Sequence, residues 1–73
     1  MNRKLRRELI KQRLKEELES SEKPLSQIAK EVGINPALLS QYRNSRKLPS
    51  IETLSKICEV LGADANYILC VSN

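Results

Sequence analysis

Residues 25–44 read LSQIAKEVGINPALLSQYRN, and their punctuation decides how the chain folds. Ala29 stands midway along a first short helical segment, and its small side chain lets a second helix cross closely over it. Gly33 comes four residues later, where the chain must turn, and glycine takes positive φ without the cost a Cβ brings. Asn35-Pro36 then starts a second helix: Asn is a good N-cap, and Pro is pre-set for the first helical position. Leu39 and Tyr42, three apart, give that second helix an apolar stripe. Two short helices joined by a tight turn containing Gly is the helix-turn-helix arrangement, whose second helix can enter a DNA major groove.

Working outward, the spacing predicts a first helix over residues 3–20. Ile10, Leu14 and Leu18 recur every four residues on one face, which should meet the core. Leu5 and Leu9 fall nearly opposite. Either the first turns fray or pack against the C-terminal residues, or they form a partner surface. After the motif, 44–49 is a polar, basic loop. Ser50 caps a fourth helix with apolar positions Ile51, Leu54, Ile57, Cys58 and Leu61, and Gly62 ends it. Asp64 caps a short fifth helix carrying Ala65, Tyr67, Ile68 and Leu69, and the last four residues are expected to fray. Nothing suggests a repeat or a linker between two domains. The expectation is one all-α, five-helix domain over 1–73, near the lower size limit for a self-supporting core.

Charge is unevenly placed. Residues 1–15 carry Arg3, Lys4, Arg6, Arg7, Lys11, Arg13 and Lys15 against Glu8 alone, and 16–22 carry four glutamates. Arg43, Arg46 and Lys47 follow the second motif helix. A basic start and a basic loop point to a polyanion such as nucleic acid, although the first helix alone reads equally as a solvated, salt-bridged face. Catalysis has little to work with: the chain has no histidine, no Gly-rich phosphate loop and no Cys/His cluster. Five short helices leave little room for a cofactor, and none is expected. No apolar run approaches the roughly 20 residues needed to cross a membrane. Cys58 and Cys70 share no metal-ligand spacing and fall at apolar helix positions. Buried, reduced thiols are therefore expected, and with them a cytoplasmic location.

The blocks LSQIAKEVGIN and LLSQYRN, with the tail LPSIETLSKICEVLGADANYIL, resemble the helix-turn-helix domain of the Cro and phage-repressor (Xre-like) family of bacterial regulators. The resemblance runs from about Ile10 to Leu69. It implies a compact five-helix phage-repressor-like fold that binds duplex DNA, usually as a homodimer on a two-fold-related site, and acts as a repressor. Carried over by position, Ala29, Gly33, Ile34, Leu39 and Tyr42 are packing residues. Pro36, Ala37, Ser40 and Gln41 are the exposed, base-facing positions. Gln41 can make two hydrogen bonds to adenine, Ser40 can donate or accept, and Ala37 can touch a thymine methyl. Arg43, Asn44, Arg46 and Lys47 match the loop that contacts the DNA backbone, and Ser26 and Gln27 could hold a phosphate at a helix N-terminus.

Two departures stand out. Leu25 replaces the glutamine common at the first motif position, and Arg43-Asn44-Ser45 replaces an acidic-basic-Gly run. Without that glycine, Asn44 or Ser45 must take a left-handed turn, and Asn tolerates it better. The competing reading is a protein-interaction module or an antitoxin, docking a protein partner through Leu5 and Leu9.

Overall fold

Five helices form where local signals start and stop them. In the computed structural model, which describes residues 3–69, they are α1 (Arg3–Ser20), α2 (Leu25–Val32), α3 (Pro36–Arg43), α4 (Ile51–Leu61) and α5 (Ala65–Ile68). Three begin at side-chain caps. Asn35 Oδ1 accepts from the Ala37 N–H at 2.8 Å, Ser50 Oγ from Thr53 N–H at 3.2 Å, and Asp64 Oδ1 from Asn66 N–H at 2.9 Å. Each satisfies an amide that the helix itself leaves unpaired. α2 starts differently. Pro24 supplies no side-chain cap, and its carbonyl accepts from Gln27 and Ile28 N–H.

Each helix contributes one fully buried aliphatic side chain to a shared core: Leu14, Ile28, Leu39, Ile57 and Ile68. Burying such a side chain is worth roughly 1.5–3 kcal/mol, so no helix can leave without losing a sizeable part of a small domain's stability. Ala29 is also fully buried, and α2 packs on α3 and on α4. α1 packs on α3 and α5. All described elements are helical, as the resemblance implies.

One expectation changes, and one pair of alternatives narrows. Ile51, assigned to the apolar stripe of α4, is 70% exposed. At about 100° per residue it lies about 20° from Cys58 and about 60° from Leu54, on the same face, but it stands in the first turn of α4, and spacing within the helix did not bring a neighbouring helix over it. The first turns of α1 lie against the C-terminal end of α5: the Arg6 guanidinium donates to the Leu69 carbonyl at 3.2 Å. Leu5 is exposed and Leu9 half-buried. Cys58 is buried and joined in no disulfide, while the expected burial of Cys70 and fraying of 70–73 lie outside the described residues. No helix among those residues is long and apolar enough to cross a membrane.

Candidate nucleic-acid interface

The turn between α2 and α3 closes on one carbonyl. Gly33 takes φ 87°, and both Gly33 N–H and Ile34 N–H donate to Ala29 O, at 2.8 and 2.9 Å. Ile34, half-buried, then packs against the core and fixes where the chain leaves the turn. Asn35 is extended (φ −66°, ψ 133°), as the residue before a proline must be, and Pro36 opens α3.

α3 is thereby divided into two faces. Leu39 and Tyr42 point into the core. Pro36, Ala37 and Gln41 are exposed, and Ser40 is half-buried at the edge. At about 100° per residue Ala37, Ser40, Gln41 and Asn44 share an arc of about 100°. The outward face is thus short, with the Gln41 amide at its centre, the Ser40 hydroxyl at its edge and the Asn44 amide at its C-terminal end as the groups able to donate and accept.

The end of α3 decides between the two residues the sequence offered for the left-handed turn. Ser45, not Asn44, is left-handed, with φ 61°. Asn44 has φ −87° and ψ 8°, as the last half-helical residue. Ser45 N–H donates to Tyr42 O at 3.2 Å and Arg46 N–H to Gln41 O at 3.0 Å. That paired closure requires the left-handed residue one place beyond the cap, so register outweighs asparagine's greater tolerance. The same closure ends α4. There Gly62 (φ 67°) is left-handed, and Ala63 N–H donates to Cys58 O at 2.9 Å. No glycine marks the spot after α3, which is why residue type alone left both Asn44 and Ser45 open and leaned to Asn44.

Beyond Ser45, Arg46 and Lys47 are exposed and Arg43 is half-buried. The far end of this loop is held by the Ser50 cap and by Leu54, buried one turn into α4. The basic loop is therefore strung between two capped helix ends. Ser26 and Gln27 are both exposed in the first turn of α2, where the helix dipole favours an anion. Among the anticipated residues, the four base-facing ones sit together on α3. The backbone-facing ones divide between the start of α2 and the stretch after α3.

A capped helix pair with a glycine turn, and a polar second helix presented by a shared core, defines a helix-turn-helix protein. Residues 14–68 match the family model described as helix-turn-helix. The chain belongs to that family, the Cro and phage-repressor (Xre-like) DNA-binding regulators. No curated protein and no solved structure matches it.

Proposed function

We propose that the chain is a sequence-specific transcriptional repressor that inserts α3 into the major groove of duplex DNA and occludes a promoter. The observation that carries this reading is the two-faced α3, capped at both ends, with Leu39 and Tyr42 buried behind and Ala37 and Gln41 exposed in front. Gln41 reads a base, with Ser40 as a secondary hydrogen-bonding group and Pro36 and Ala37 in apolar contact. Arg43, Asn44, Arg46 and Lys47 hold phosphates on one side of the groove, and Ser26 and Gln27 hold one at the start of α2. Base contacts then choose the site, while phosphate contacts set register and most of the salt-sensitive affinity.

The test begins with selection of a preferred duplex from a randomised pool. Gln41→Ala should then lose about 1–3 kcal/mol on the selected site and little on random DNA. Equal losses on both would remove Gln41 as a reader.

A further inference from the structure

The positive charge of this chain lies mostly ahead of its family-matched segment. Residues 3–13 precede the matched stretch 14–68 and carry six cations against Glu8 alone. With the whole chain at net +4, everything outside residues 3–13 carries one more acid than base. The helix-turn-helix part, basic loop included, is therefore nearly neutral. Its long-range pull on a polyanion is weak by itself.

α1 is one unbroken helix from Arg3 to Ser20, so these cations are fixed to the domain rather than carried on a tail. They sort into two groups. Arg6 and Arg13 engage α5: Arg6 donates to Leu69 O, while Arg13 donates to Tyr67 O and stacks over the Tyr67 ring, 4.4 Å from its centroid. Lys4, Arg7, Lys11 and Lys15, spaced three, four and four apart, fall within about 80° of one another, roughly opposite Arg6 and Arg13, in an arc that also contains Leu18. At 1.5 Å per residue the row is about 16 Å long. Lys4, Arg7 and Lys15 are exposed, and Lys11 is half-buried with Glu8 at 3.7 Å. α3, the helix with the candidate reading face, packs on this same α1.

Helix stability does not account for the pattern. The first turn of α1 contains no acid, and cations there oppose the helix dipole. Acids would serve solubility as well and the helix better. A lipid surface fits poorly too. Interfacial helices bury a broad apolar face, whereas Leu14 and Leu18 are committed to the core with Ile10 packed against it, and only Leu5 and Leu9 lie elsewhere on α1.

We propose that Lys4, Arg7, Lys11 and Lys15 form a second row of phosphate contacts to duplex DNA, outside the helix-turn-helix, supplying the larger share of the salt-sensitive affinity. The proposal rests on the DNA-reading role given to α3. The experiment is fluorescence anisotropy of the full chain on a labelled random-sequence duplex across a salt series. Each phosphate contact contributes about 0.9 to the log–log slope. Four row contacts and three from the loop give an expected slope of about six. The K4Q/R7Q/K11Q/K15Q variant should lose about three to four units and bind at least tenfold more weakly at moderate salt. R46A/K47A should lose about two. The glutamines are good helix formers and remove charges that oppose the dipole, so circular dichroism should show undiminished helix. Should the fourfold variant misfold, K4Q/R7Q, confined to the first two turns, should still lose about two units.

A steep wild-type slope that the row variants leave within one unit would overturn this inference while sparing the reading of α3. Absence of wild-type binding at low salt would overturn both. Row-dependent binding to phosphatidylserine-containing vesicles, with an unchanged DNA slope, would overturn it in favour of a lipid surface.

Discussion

Replacing Ser45 by glycine should stabilise the fold, and the same change one residue earlier should destabilise it. Ser45 holds φ 61° because the closure after α3 needs a left-handed residue there. A non-glycine residue in that region costs on the order of 1–3 kcal/mol. Serine, small and unbranched at Cβ, belongs in the lower half of that range, at about 1.5 kcal/mol. Glycine removes that cost but loses about 0.4–1 kcal/mol through the greater freedom of the unfolded chain. The net gain for Ser45→Gly is then about 0.5–1 kcal/mol. Asn44, at φ −87° and ψ 8°, has no such strain to release. Asn44→Gly therefore incurs only the entropic loss, about 0.4–1 kcal/mol. For a domain of this size 1 kcal/mol moves Tm by about 4–8 °C, so the two variants should separate in opposite directions by several degrees. Thermal circular dichroism and urea titration read both. A Ser45→Gly variant no more stable than wild type, or a stabilised Asn44→Gly, would refute the assignment of the left-handed residue and with it the path of Arg46 and Lys47.

Gly33→Val places a β-branched residue at φ 87° and should cost on the order of 1–3 kcal/mol. A Cβ there would meet nothing within 4 Å, so the loss is in the backbone, and Gly33→Ala should show much of it; an unchanged Tm in either variant would contradict the turn. The Cys58 thiol is pushed above its ordinary pKa, first by burial and then by the Glu17 and Asp64 carboxylates. Below the unfolded thiol's pKa both states keep the proton and no stability is lost. As pH rises past about 8.5 the unfolded chain ionises first, so stability should fall through that range, and fall less steeply in Cys58→Val. Urea titrations from pH 7 to about 9.5 check this. Equal pH dependence in the two proteins would show that Cys58 ionises as freely folded as unfolded.

Much of this molecule was legible because its signals are local. α2, α3 and α4 span the residues that the caps and glycines marked, since Asn35-Pro36, Ser50, Gly33 and Gly62 act within one turn of themselves. The buried faces of α1 and α3 followed from spacing for the same reason. The family was legible too, because its motif is largely a set of packing and turn residues.

Contacts across the chain were not legible. Arg13 and Tyr67 are 54 positions apart, and only the docking of α5 on α1 makes one guanidinium stack on that ring. That docking also separates Arg6 and Arg13 from the Lys4–Lys15 row, which sequence shows as one undivided run of charge. Ile51 read as core and is solvent-facing because burial depends on where neighbouring helices lie, not on spacing within one helix. Ser45 read as the lesser candidate and became the left-handed residue because its hydrogen bonds reach back to Gln41 and Tyr42 in a fixed register. The sequence by itself determined which helices form and which face of each is apolar. Tertiary packing decided which of those faces found a partner and which charges remained turned toward solvent, since both depend on the relative placement of helices that no local signal encodes.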